Sequence, residues 1–176
     1  METSPEELVE TERIECWMRE HGSAVKGYLA GILRQHELDD LVQEVFCRAW
    51  QHRARYEERG HARTFLLRIA DRLACDRLRQ LRQEGGLKER LCSSLGLGND
   101  KHDPAHAALH SEAAQQLHVA LARLSPLQRR VLLLRYFGQL TFEEIAGAID
   151  CPLNTTLSHC RRGLEKLRGQ LRGLAP

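Results

Sequence analysis

At 176 residues, with 42% hydrophobic and only 5% aromatic content, the chain can bury one or two small cores. No run approaches the ~20 apolar residues of a membrane span, so no membrane insertion is expected. The acidic opening METSPEELVETE is neither a secretory signal nor a transit peptide, so a cytoplasmic protein is expected.

The net charge of +2 conceals an asymmetry. Residues 1–24 hold seven acids against Arg13 and Arg19, residues 25–83 twelve bases against eight acids, and residues 121–176 nine bases against four acids. Two basic blocks suggest two surfaces for a polyanion, and the dominance of arginine favours phosphate and guanine contacts.

In chain order, Leu8 to about Glu20 has the spacing of an amphipathic helix, with Ile14 and Trp17 on its apolar side. Gly22 and Ser23 predict an interruption, and Val25, Tyr28, Leu29, Ile32 and Leu33 predict a second helix over 24–34. Glu37 to His52 carries the clearest periodicity: Leu38, Leu41, Val42, Val45, Phe46, Ala49 and Trp50 share one side. Asp39 and Asp40 suit the positive end of its dipole, and Asp40, Gln43, Glu44 and Arg48 line the opposite face. Arg53 to Arg63 is a polar loop. A long helix is predicted from Thr64 to Arg82, with Phe65, Leu66, Ile69, Leu73 and Leu78 inward and Arg63, Arg68, Arg72, Arg77, Arg79 and Arg82 giving it a basic character. Such a row of arginines can track a nucleic-acid backbone or simply keep a helix soluble.

Residues 84–103 contain four glycines and no sustained apolar period, which predicts a flexible linker between domains at 1–83 and 104–176. A helix is expected over 104–123. Ser125-Pro126-Leu127-Gln128 is a capping box with proline at the first helical position, opening a helix that ends at Gly138. Thr141 and Glu144 form a second capping box, followed by Phe142, Ile145, Ala146 and Ile149 at helical spacing. Asp150 suits the left-handed turn that ends this helix, and Pro152 the start of the next. On that last helix Thr156, Cys160, Gly163 and Leu167 share one face. Asn154, Thr155, Leu157, Ser158, His159, Arg161 and Arg162 occupy the rest, the pattern of a helix-turn-helix whose second helix enters the major groove.

Six cysteines occur, none in a C-x-x-C pair, so small buried thiols rather than a disulfide framework are expected. His102, His106 and His110 are spaced four apart, but Pro104 would start a helix that leaves His102 outside it. Neither a metal, a cofactor nor catalysis is predicted: no zinc signature, nucleophile–base pattern or phosphate-cradling loop occurs.

Three stretches in this order resemble the sigma factors of the extracytoplasmic-function (ECF) group. DDLVQEVFCRAW (Asp39–Trp50) is similar to the family's clamp-binding helix, FLLRIADRLACDRLR (Phe65–Arg79) to its promoter-melting helix, and Leu121–Arg168 to its minus-thirty-five reading domain. The resemblance implies an all-α fold of two small helical domains joined by a linker. It implies core RNA polymerase as partner, held at the clamp of its largest subunit by Asp40, Gln43, Glu44 and Arg48. It also implies promoter DNA, with the minus-ten element met by Arg68, Arg72, Asp76 and Arg79 and the minus-thirty-five element by Asn154, Thr155, Leu157, Ser158, His159, Arg161 and Arg162. Members of the group are often held inactive by an anti-sigma factor, which this sequence does not identify. Five positions depart from the family pattern: Phe65 replaces a tryptophan, Arg72 an asparagine, Leu157 and His159 a lysine and an arginine, and Asp150 a glycine.

Overall fold

The computed structural model describes residues 5–33, 38–53, 56, 61–95 and 112–171, with side chains described outside 5–11, 85–95 and 112–115. These residues form seven helices: α1 (Pro5–Ile32), α2 (Leu38–Gln51), α3 (Ala62–Leu95), α4 (Glu112–Ala122), α5 (Pro126–Tyr136), α6 (Phe142–Ala148) and α7 (Leu153–Leu171). No strand occurs among the described residues. The three histidines His102, His106 and His110, and residues 96–103 of the expected linker, lie outside them.

Two expected helix limits are corrected. Gly22 and Ser23 do not divide the first helix: α1 runs unbroken from Pro5 to Ile32. A glycine inside a helix costs only about 1 kcal/mol against alanine. The buried stripe Ile14, Trp17, Ala24, Val25, Tyr28, Leu29 and Ile32 keeps helical spacing across it, so packing outweighs propensity. Likewise α3 does not end near Arg82 but continues through Gly85 and Gly86 to Leu95.

The first three helices pack on one another, and α7 packs on α4, α5 and α6. The two groups also meet each other, α1 against α5 and α3 against α6. One contiguous apolar cluster therefore runs from Ile14 and Trp17 through Leu66 and Leu67 to Leu133, Ile145 and Cys160.

α5 explains this continuity. Val131, Leu132, Leu133 and Leu134 are all buried in succession. At 3.6 residues per turn they sweep about 300° of the helix surface, so α5 must be covered on nearly every side. On one side a Cβ placed on Gly163 of α7 would lie 2.9 Å from Leu132; on another, a Cβ on Gly31 of α1 would lie 2.5 Å from Leu133. A side chain at either glycine would force these leucine methyls to shift.

Both capping boxes form as expected, Ser125 with Gln128 and Thr141 with Glu144. Asp150 adopts the left-handed conformation at φ 51°. In the turn after α5 the left-handed residue is Gln139, at φ 55°, rather than the neighbouring Gly138. Gly138 instead makes room, because a Cβ there would meet the Leu134 carbonyl oxygen and lie 2.8 Å from Leu67 of α3.

Asp150→Gly is expected to leave stability unchanged or raise it by up to about 1 kcal/mol, while Asp150→Val lowers it by about 1–2 kcal/mol, because a β-branched residue cannot relax at positive φ. Urea denaturation of the three proteins checks this; a valine variant as stable as wild type would contradict it.

Candidate nucleic-acid and partner interfaces

α2 buries Leu38, Val45, Phe46 and Ala49 and turns Asp40, Gln43 and Cys47 to solvent. Glu44 and Arg48 are half-buried on the same side, and the Arg48 Nε donates to Glu44 Oε1 at 2.7 Å. Asp39 pairs with Lys26 of α1 at 2.7 Å, an exposed bridge worth little to stability but one that ties the start of α2 to α1. α2 thus presents a rigid acidic strip beside one braced cation.

α3 carries three stripes. Leu66, Ala70, Leu73 and Ala74 are buried. Arg68, Arg72, Asp76 and Arg79 follow one another at intervals of three or four residues and are all exposed. Asp76 accepts from the Arg79 Nη1 at 2.8 Å. A cleft of about 300 Å³ joins this stripe to α2, lined among others by Leu41, Arg48, Asp76, Arg77 and Arg79. The expected partner face of α2 and the expected minus-ten face of α3 are therefore adjacent. At the other end of α3, Trp17, Tyr56 and Phe65 cluster edge to face, with Trp17 4.8 Å from Tyr56 and 6.1 Å from Phe65 between ring centroids.

The helix-turn-helix is α6 and α7. α7 buries Thr156, Cys160 and Gly163. The Pro152 carbonyl accepts from the Thr156 backbone N–H at 2.9 Å and from its hydroxyl at 3.1 Å, which anchors the first turn. The opposite face holds Asn154, Thr155, Leu157, Arg161 and Arg162, all exposed, with Ser158 and His159 half-buried at its margins. The Ser158 hydroxyl donates to the Asn154 carbonyl at 2.8 Å, so it is partly occupied within the helix. Arg161 stands 3.9 Å from Glu165, a loose exposed pair, and Leu157 is 41% exposed. Apolar surface left open amid polar groups at the start of a helix suits contact with a thymine methyl.

The third stripe of α3 went unread in the sequence. Asp71 is 1% exposed. It accepts from Arg130 of α5 at both carboxylate oxygens, at 2.7 and 2.5 Å, and from the Tyr28 hydroxyl of α1 at 2.5 Å. Burial raises the Tyr28 pKa well above its ordinary value, reinforced by the Asp71 charge. Burial alone would lower that of Arg130, but the hydrogen bond and charge of Asp71 reverse this and hold it protonated. Nearby, the Arg129 Nε donates to the Gly31 carbonyl at 2.5 Å. The signal in the sequence was an acid at inward spacing among Leu67, Ala70 and Ala74, hidden by the arginines around it.

Glu144 works at the same boundary. Beyond capping α6 it accepts from the Thr64 hydroxyl of α3 at 2.7 Å and lies 3.5 Å from His61. Burial alone would raise its pKa, but hydrogen bonds from Thr141, Thr64 and His61 together hold it below the ordinary 4.5. Among the described residues no group of His, Cys, Asp and Glu is arranged to hold a metal ion, and no helix is long and apolar enough to cross a membrane.

Residues 17–84 match the family described as Sigma-70 region 2, and residues 114–167 that described as Sigma-70, region 4. The chain is 30% identical over 145 residues to the ECF RNA polymerase sigma factor SigW of Bacillus subtilis, covering 79% of this chain and 78% of that protein. It is 27% identical over 151 residues to SigK of Mycobacterium tuberculosis, covering 85% and 80%. Among solved structures it is similar to the sigma factor RpoE in complex with the anti-sigma factor NepR from Bartonella quintana, with TM-score 0.70 and 22% identity over 92% of this chain and 98% of that one. It is also similar to CnrH in complex with the cytosolic domain of CnrY, with TM-score 0.68 and 17% identity over 94% and 91%.

The depressed Glu144 pKa has a sign. The charged form is favoured in the folded state, so its contribution is present above the ordinary 4.5 and is lost as pH falls through the folded value. Glu144→Gln keeps a capping-box side chain but cannot titrate. Lowering pH from about 7 to about 3.5 should therefore destabilise wild type more than Glu144→Gln in urea melts. Equal losses would remove Glu144 from the account.

Proposed function

We propose, for a chain that belongs to the ECF sigma factors, a division of labour between its two helical groups. The protein is a transcription initiation factor that directs core RNA polymerase to promoters. Residues 1–83 form the domain that holds polymerase and meets the minus-ten element. Residues 104–176 form the domain that reads the minus-thirty-five element, and residues 84–103 connect them, beginning with the last turns of α3.

On α2, Asp40, Gln43, Glu44 and Arg48 dock on the clamp of the largest subunit. A rigid strip with an internally braced Glu44–Arg48 pair loses little side-chain freedom on binding. Arg68, Arg72, Asp76 and Arg79 of α3 follow the minus-ten region, where the domain takes up an unstacked base as the duplex opens. The cleft shared with α2 supports this, because it links polymerase contact and strand capture through one rigid corner. On α7, Asn154, Thr155 and Leu157 meet base edges, Ser158 and His159 lie at the margin, and Arg161 and Arg162 hold the backbone or a guanine. The chain itself catalyses nothing and acts in the cytoplasm, beside polymerase and promoter. An anti-sigma factor is included as a partner because the similar sigma factor RpoE is bound to one, NepR.

The observation that carries this reading is the first turn of α7. Leu153, Asn154, Thr155 and Leu157 are all exposed at the open end of a helix whose other face is tightly packed. Apolar groups left open beside Asn154 and Thr155 there offer thymine methyls a surface next to hydrogen-bonding side chains.

Two outcomes test the reading. Asp40→Lys with Glu44→Lys should keep wild-type helicity by circular dichroism and weaken core polymerase binding at least about tenfold, roughly 1.4 kcal/mol; unchanged co-elution would contradict the α2 assignment. Asn154→Ala or Leu157→Ala should shift the preferred minus-thirty-five sequence by roughly 1–3 kcal/mol per altered contact. Arg162→Ala should instead weaken all duplexes and lower the salt slope by about 1. Binding to randomised duplexes at two salt concentrations separates these. No change in preference, affinity or slope would return the face to plain solvated surface.

A further inference from the structure

Two hydroxyls of α7 bond back to the backbone one turn earlier, and they differ in what lies beyond them. Thr156 donates to the Pro152 carbonyl at 3.1 Å and is buried, so its hydroxyl serves the helix alone. Ser158 donates to the Asn154 carbonyl at 2.8 Å but is only half-buried, at the margin of the outer face. Asn154, Leu157, Ser158 and Arg161 recur at intervals of three or four residues, so they share one side of the helix. A carbonyl carries no proton, so the proton in the Ser158–Asn154 bond is the hydroxyl's own. A serine hydroxyl has one proton and two lone pairs. With the proton committed to the helix, Ser158 has only acceptor capacity left. A hydroxyl that already donates is polarised toward accepting, which reinforces the bias.

Base edges in the major groove sort by the same property. Adenine N6 and cytosine N4 are donors, whereas guanine O6 and N7, adenine N7 and thymine O4 are acceptors. A group that can only accept fits the two amino groups and meets the other positions lone pair to lone pair. Its exposed neighbours on that side cannot take over this task. Leu157 has no hydrogen-bonding group, and the Arg161 guanidinium only donates. Resting on the proposed function, in which the outer face of α7 enters the groove, we infer that Ser158 is a specificity-determining residue for the minus-thirty-five element and reads an exocyclic amino group, adenine N6 or cytosine N4. Reading a carbonyl or a ring nitrogen instead would require the hydroxyl to give up its bond to Asn154 and turn its proton outward. The face then combines an acceptor at Ser158, an apolar surface at Leu157 and donors at Arg161 and Arg162, each suited to a different base edge or to phosphate.

The test uses the full chain with core polymerase, as wild type and as Ser158→Ala. Alanine is the better helix former, so the variant keeps the fold. Binding to duplexes randomised across the minus-thirty-five element locates the base pair whose preference depends on Ser158. The variant should lose discrimination at one pair by roughly three- to tenfold, the worth of one neutral hydrogen bond, and keep its preferences elsewhere. The amino group of that pair is then deleted, with unsubstituted purine in place of adenine or 2-pyrimidinone in place of cytosine. Wild type should lose about the same factor, and Ser158→Ala should lose nothing further. Comparing the two proteins removes any effect of the analogue on the duplex itself. An amino deletion that costs both proteins equally would overturn the inference. So would an affinity loss in Ser158→Ala shared by all sequences, which is the mark of a phosphate contact, or preferences unchanged at every position. A wild-type protein with no preference anywhere in the minus-thirty-five element would overturn the proposed function itself, and the inference with it.

Discussion

A carboxylate buried in an all-helical core must find partners, and Asp71 finds them in two different parts of the chain. An unpaired buried charge costs several kcal/mol. Asp71 avoids this through a bidentate arginine and a tyrosine hydroxyl, which together occupy both oxygens. The charge-assisted, two-pronged geometry fixes orientation as well as distance. Because Arg130 comes from α5, satisfying this one group brings the second helical group against the first. The burial of Leu133 and the glycines of α1 then follow as the apolar surround of that pairing. The ion pair specifies where the two groups meet; the apolar contacts supply most of the favourable energy, about 1.5–3 kcal/mol for each large side chain fully buried.

The same economy of surface runs through α3 and α7. α3 serves three neighbours at once: a buried apolar stripe toward α1 and α2, the Thr64–Leu67–Asp71 stripe toward the second group, and an arginine stripe toward solvent. α7 needs only a narrow buried face, since Gly163 lets it approach Leu132 closely and Thr156 satisfies its own hydroxyl on the Pro152 carbonyl. The remainder of each helix is free to carry recognition chemistry without weakening the core.

Much of this was legible in the amino-acid order. Both capping boxes, the left-handed turn at Asp150 and the buried face of α7 follow from local rules that tertiary packing did not override. So did the face of α2, where period and burial agree. Two breaks were misjudged, at Gly22 and at Gly85, because glycine is a weak helix breaker where apolar spacing or strong helix formers continue past it. The steric role of Gly138 against the Leu134 carbonyl and Leu67 leaves no local signal in the sequence. The Asp71 network was missed for a different reason: a long-range ion pair leaves no periodic trace, and a lone acid among arginines reads as charge balance. The assignments on α2, α3 and α7 rest on exposure and family resemblance together, since exposure alone cannot tell a docking face from a wet one.

The central claim is that one chain couples polymerase docking on α2 to the reading of two separated promoter elements. Transcription from a randomised promoter library by purified core polymerase, with and without the protein, tests it most directly. The account predicts that the protein selects templates sharing two sequence blocks at a fixed spacing, the upstream block changing when Leu157 is replaced. Transcripts without any enriched upstream block, or the same enrichment from core polymerase alone, would contradict it.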